Sequence, residues 1–295
     1  LALRTLITER QRRVGAELRN LREQAGVSIA DVSERVGMGR PHLSHIEAGR
    51  TNIPSDRLRE LAAIFGRTDA PFVDALVSLS ESRGKGWWSA YRKVMPQIAL
   101  DLAELESHAT HVQSHETLLI PGLLQTESYM RVLFRSSRPD ATADELETLV
   151  RFRLDRQQIL RPAAAVSFHA VIHESALRIA VGGSDVMREQ LTALIRASEH
   201  PGVTIQILPF EAGAPAWLGT PFLTLSPGVQ GLETVILDHP AQPLNLGDDE
   251  SVARYRATFD GLSNSALRAV VADSSPDRHE RRDSWGLIQH ILYTH

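Results

Sequence analysis

The chain has 295 residues, 42% of them hydrophobic and 23% charged, with a net charge of −4; this is globular composition with enough length for two buried cores, which excludes a disordered tail. It contains no cysteine, which excludes disulfides, thiolate nucleophiles and zinc sites built on thiolates, and fits a reducing compartment. No apolar run reaches the roughly 18 residues of a membrane helix, and Leu1 to Thr8 carries Arg4 and no small-residue cleavage pattern, so a cytoplasmic, unexported protein without membrane contact is expected.

The total charge hides a division. Residues 1–67 hold 12 basic against 8 acidic side chains, and the remainder holds 20 against 28. A basic head on an acidic body draws polyanions, although a helical domain with a solvated arginine face reaches the same balance.

Val14, Leu18, Leu21 and Ala25 recur at helical spacing up to Gly26, which gives a first helix. Ser28 stands as an N-cap three residues before Asp31; Ile29, Val32 and Val36 mark a second helix, and Gly37 ends it. After a tight turn, Pro41 is acceptable in a first helical turn, and Leu43 and Ile46 give a third helix a narrow buried stripe ending at Gly49. Pro54 to Phe65 and Phe72 to Leu79 supply a fourth and a fifth helix. The polar SESRGKG stretch, residues 80–86, has linker composition. The expected division is therefore a helical domain over 10–80, a linker over 81–92 and a second domain over 93–295.

Beyond the linker, helices are expected over Gln97–Ala109, Thr126–Phe134, Ala143–Leu160 and Asp185–Glu199. Short apolar or β-branched runs at Val166–Ile172, Val203–Leu208, Phe222–Leu225 and Thr234–Leu237 read as strands. Asp249–Asp260, Ser263–Ala272 and Ser284–Tyr293 read as helices again, with SSPDRHERRD at 274–283 as a loop between the last two. The fold class is α+β: an all-α five-helix domain followed by a mixed α/β domain with C-terminal helices.

Helices two and three, joined by a short turn, have the form of a helix-turn-helix. Turning the Leu43 and Ile46 stripe inward leaves Pro41, Ser44 and His45 outward, with Arg40 at the flank, in reach of base edges or phosphates. A plain helical bundle fits the same pattern. The stretch LREQAGVSIADVSERVGMGRPHLSHIEAGRTNIP then resembles the Xre and Cro/repressor helix-turn-helix family, whose recognition helix ends in L-S-x-I-E-x-G, here Leu43 to Gly49. That resemblance places Arg40, Pro41 and His45 at the base-reading positions, and the Arg50 to Asn52 segment where loop contacts to phosphate occur. Proline at 41 offers no donor and only an apolar contact. Ile29 stands where the family often has a phosphate-anchoring Gln, which leaves the anchor to the Ser28 hydroxyl or to Arg12 and Arg13.

WWSAY, IPGLLQTESYMRVLF, RFRLDRQQIL, HESALR and VTIQILPFEAGA resemble, in order, the C-terminal domain of WhiJ-like, antitoxin-like actinobacterial regulators. The resemblance implies a transcription regulator, often encoded beside a small BldB-like partner protein; the expected form is a homodimer on double-stranded DNA. It supplies no ligand and no cofactor. The alternative reading is an antitoxin-like protein-binding module that autoregulates its own operon.

Other clusters receive structural readings. His169, His173 and Glu174 lack the zincin order and a further ligand, so a half-buried histidine pair is expected and no metal. His108, His111 and His115 at a helix-to-strand junction read as a solvated cluster. PGLLQ, residues 121–125, reads as a packed turn, Gly182–Gly183 as an ordinary turn before a helix, and Trp217 as the cover of a core edge. No catalytic triad, phosphate loop or convergent acid pair stands out, so no enzyme is expected.

Overall fold

The computed structural model describes residues 7–81, 85–161, 164–213, 220–239, 243–271 and 283–294. Trp217 and residues 274–282 lie outside them. The chain divides into two compact units, one of Leu1–His108 with Ser226–Glu233, the other of Ala109–Leu225 with Thr234–His295. The division thus falls at 108/109, beyond the stretch expected as linker.

The first unit opens with α1 (Glu9–Gln24), where Thr8 and Gln11 cap each other reciprocally. Helix α2 (Ile29–Val36) starts on the Ser28 side chain and stops at Gly37, whose φ of 63° is the left-handed conformation that glycine adopts without penalty. Helix α3 (Arg40–Glu47) carries Pro41 in its first turn, where no intrahelical N–H bond is lost. Helices α4 (Ser55–Ile64) and α5 (Ala70–Glu81) complete the expected five. Val32, Leu43, Leu58, Leu61 and Leu76 are fully buried at their centre, each worth about 1.5–3 kcal/mol in removal from water. Ala25, expected on the buried side of α1, is exposed. The sequence puts α6 (Gln97–Ser107) in the second domain, but it folds into this unit, as does the 226–233 turn, whose Leu232 joins the same core.

The second unit is built on one six-stranded sheet of order β3-β2-β1-β4-β5-β6. Its strands are β1 (His111–Glu116), β2 (Ser167–His173), β3 (Val203–Leu208), β4 (Phe222–Ser226), β5 (Thr234–Leu237) and β6 (Leu244–Leu246). The pairs β1/β2 and β2/β3 are parallel, with His111 opposite Ser167 and Phe168 opposite Val203. Parallel neighbours need crossovers. Helices α7 (Glu127–Ser137) and α8 (Ala143–Arg156) make the first, and α9 (Glu174–Arg178) and α10 (Ser184–Ala197) the second. β4/β5 and β5/β6 are antiparallel. Helix α11 (Asp249–Ser265) packs its Val252, Phe259 and Leu262 on Val171, Phe222 and Val235, and α12 (Ser284–Thr294) closes the chain.

One expected helix is absent. Of the expected 263–272 helix, the described residues 263–271 do not form a helix of their own: α11 runs on to Ser265, and the chain to residue 271 then extends along the outer side of β3. Leu267 N–H donates to the Ile207 carbonyl (2.9 Å) and Val270 N–H to that of Ile205 (2.8 Å). An edge strand presents unpaired carbonyls, and satisfying them overrides the helix preference of Ala266, Leu267, Arg268 and Ala269.

Candidate nucleic-acid interface

Helix α3 turns Leu43 and Ile46 into the core and leaves Arg40, Pro41 and Ser44 exposed, with His45 half-buried. Four of the expected residues therefore share one short helix. Arg50 and Asn52 are exposed in the segment that follows it. Ser28 is exposed at the start of α2, where its hydroxyl accepts from the Asp31 N–H and donates to the Asp31 carboxylate (2.7 Å). The Asp31 carboxyl is held below its ordinary range, by that hydroxyl first and also by the charges of Arg35 and Arg40. Among the described residues no ion pair or side-chain hydrogen bond engages Arg40 or Arg50, so both cations face solvent uncommitted.

The alternatives for the missing phosphate anchor separate. Arg13 is buried, paired with Glu17 (2.8 Å), and it donates to the carbonyls of Gly231 and Glu233; it cannot reach DNA. Arg12 is exposed and paired with Glu9, and Ser28 is exposed but gives its one hydroxyl proton to Asp31, so either would have to exchange a carboxylate for a phosphate.

The position of α3 is fixed by contacts with α1. A Cβ at Gly15 would lie 2.5 Å from the Glu47 carbonyl oxygen, 2.7 Å from that of Ile46 and 2.8 Å from the Gly49 nitrogen. Gly49 has φ +70°, and its own Cβ would lie 2.8 Å from the Gln11 carbonyl oxygen. The two backbones cross in direct contact. Further along α1, Arg22 grips Glu47 through two bonds, Nε to Oε1 (2.7 Å) and Nη2 to Oε2 (3.0 Å), and Nη1 donates to the Val27 carbonyl. Planar guanidinium and carboxylate match in this two-pronged geometry, which fixes rotation as well as distance. Gly15 and Arg22 escape a reading based on apolar periodicity; the one available signal was a glycine inside an otherwise helical pattern.

In the second unit His115 is fully buried and its Nδ1 lies 3.0 Å from the Val171 carbonyl. The solvated cluster expected at 108, 111 and 115 is therefore corrected: strand β1 carries His115 into the sheet, and burial pushes its imidazole pKa down. His169 contacts the Gln206 amide oxygen (2.7 Å) and the Phe259 ring, and His173 contacts the Ser175 hydroxyl (2.5 Å), so each has its own protein partner. The PGLLQ turn is packed, with the buried Gln190 amide bridging the Leu124 carbonyl (2.8 Å) and the Thr126 N–H (2.7 Å). Gly182 and Gly183 both have positive φ, the turn expected there.

Glu116, the last residue of β1, is half-buried, and burial pushes its carboxyl up to about 8, with Asp238 adding to the rise and Arg153 opposing it. The folded state then holds a proton that the unfolded chain releases near pH 4.5. Stability from this group is full below that pH and is lost as pH rises through about 8. In thermal melts, Glu116→Gln should gain on the wild type between pH 5 and pH 8.5. A melting-temperature difference that stays constant across that range would refute the assignment.

A family model described as "Helix-turn-helix domain" matches residues 13–74, and one described as "Domain of unknown function (DUF5753)" matches residues 99–272. Searches of the curated proteins and of the solved structures returned no match. No helix among the described residues is long and apolar enough to cross a membrane. By a match that covers more than half of its length, the chain belongs to the DUF5753 family, and it carries a helix-turn-helix domain of the DNA-binding regulator type ahead of that domain.

Proposed function

We propose that the chain is a sequence-specific transcription regulator whose third helix reads the DNA major groove. Arg40, Pro41, Ser44 and His45 face the bases, and Ser28, Arg50 and Asn52 face the sugar-phosphate backbone. The observation that carries the reading is the outer side of α3 and the segment after it: exposed polar side chains with Arg40 on the helix and Arg50 beyond it, within a matched helix-turn-helix. In this reading the helical unit, through residues 10–80, binds DNA, and the sheet unit that begins at residue 109 receives a ligand or a small partner protein, without catalysis or a cofactor. The protein acts in the cytoplasm as a homodimer of the Xre/Cro type with a WhiJ-like C-terminal domain, on two half-sites about one helical turn apart. A ligand or partner acts by binding the DNA-competent and incompetent arrangements with different affinity.

The test is fluorescence anisotropy on a duplex selected from a random library, with a scrambled duplex as control, at two salt concentrations. Arg40→Ala and His45→Ala should each weaken the selected complex by about 1–3 kcal/mol while the fold stays intact. Equal affinity of the wild type and both variants would sink the assignment of α3.

A further inference from the structure

The helix-turn-helix match ends at residue 74 and the DUF5753 match begins at 99, yet two pieces of the second matched region, 99–107 within α6 and 226–233, fold into the first unit. Both lie against α1. Arg10, 2% exposed, donates from Nε to Glu104 of α6 (2.9 Å) and also to the Leu79 carbonyl. Arg13 donates to the carbonyls of Gly231 and Glu233, and Leu232 enters the core.

Arg10, Arg13 and Glu17 recur at three and four residues and share one side of α1. Gly15 and Arg22, which hold α3, point the other way at 100° per residue. Helix α1 therefore stands between the DUF5753 segments and the DNA-reading helix. It is tied to the segments by buried charge and to α3 by backbone contact.

We propose that residues 99–107 and 226–233 position the DNA-reading helix through α1, so that the DUF5753 domain sets DNA affinity by way of Glu104 and the 226–233 turn. This rests on the DNA-binding reading above. Both segments are continuous in the chain with neighbouring strands of the second unit: α6 leads through 108–110 into β1, and 226–233 joins β4 to β5. An event that moves β1, β4 and β5 pulls on α1 at two points. Glu104 and Gly231 are positioning residues and touch no DNA.

The experiment uses the full chain and the selected duplex. Coupling is reciprocal, so DNA binding by the wild type should raise amide-exchange protection in 97–107 and 226–233 as well as in α3. Protection that changes in α3 and leaves both segments untouched overturns the proposal. Glu104→Gln removes the partner charge of Arg10. Gly231→Ala puts a side chain at φ +90°, with its Cβ 3.3 Å from Phe72, and displaces the turn. Each should weaken the selected complex roughly tenfold and leave scrambled-duplex affinity unchanged. Unchanged affinity for both duplexes, an equal loss on both, or tighter specific binding overturns it. If a variant does not fold, the wild-type exchange experiment decides. A wild type that enriches no sequence removes the DNA-binding reading, and this inference with it, a result distinct from specific binding that ignores the two segments.

Discussion

Alanine at Gly15 should destabilise the helical unit by about 2–3 kcal/mol, although helix propensity alone predicts a gain of up to about 1 kcal/mol. Propensity counts only what α1 would do in isolation. The added Cβ meets three backbone atoms of the α3 region at 2.5, 2.7 and 2.8 Å, and backbone has no rotamer through which to yield. Helices α1 and α3 must part, which also opens the packing around Leu18 and Leu43, exposed by 1% and 0% in the native state. A urea titration that shows Gly15→Ala at or above wild-type stability would mean that the crossing is looser in solution. On the proposed function, DNA affinity should fall with stability here, because the displaced element is α3.

Glu47→Ala is expected to cost as much or more, about 3 kcal/mol, because it removes the two-pronged partner of a mostly buried guanidinium and leaves Arg22 only the half-exposed Glu23 carboxylate (3.5 Å) and the Val27 carbonyl. The side chains of the pair are 11% and 6% exposed. Most of that cost is the penalty for a poorly paired, mostly buried charge and does not measure the strength of the pair. The double variant Arg22→Met with Glu47→Leu should therefore recover much of the loss, since apolar side chains of similar volume fill the site without a charge to desolvate. A double variant no more stable than Glu47→Ala alone would show that the geometry of the pair, and not its charge balance, carries the stability. Glu47 belongs to the L-S-x-I-E-x-G signature, and its partner gives that glutamate a physical reason: it locks the last turn of α3 onto α1.

What sequence revealed follows the range of the forces involved. Helices α2 and α3 were legible because their boundaries are local: a Ser28 cap, a left-handed Gly37, a proline in a first turn and a two-residue buried stripe. The outward set on α3 followed from the same stripe, so the exposure of Arg40, Pro41 and Ser44 was legible too. The arginines of α1 were not. Arg10, Arg13 and Arg22 look like a solvated face in any single-helix pattern, and each is buried only because a distant segment supplies its acceptor: Glu104, the 231–233 carbonyls and Glu47. Strand β1, reading HVQSHE, has no apolar alternation, and it is fixed by parallel pairing with β2. Residues 267–270 became an extended edge because β3 had carbonyls to satisfy, a requirement invisible from that segment alone.

If α3 reads DNA as proposed, its shortness limits how much information one copy can extract. Eight residues at about 1.5 Å each cover roughly 12 Å, the length of three or four base pairs stacked about 3.4 Å apart. A four-letter word recurs by chance about once in 256 positions, while a genome offers on the order of a million or more competing sites. One such helix names a neighbourhood and not an address. Any selectivity beyond that must be assembled from further readers or from the way the duplex bends.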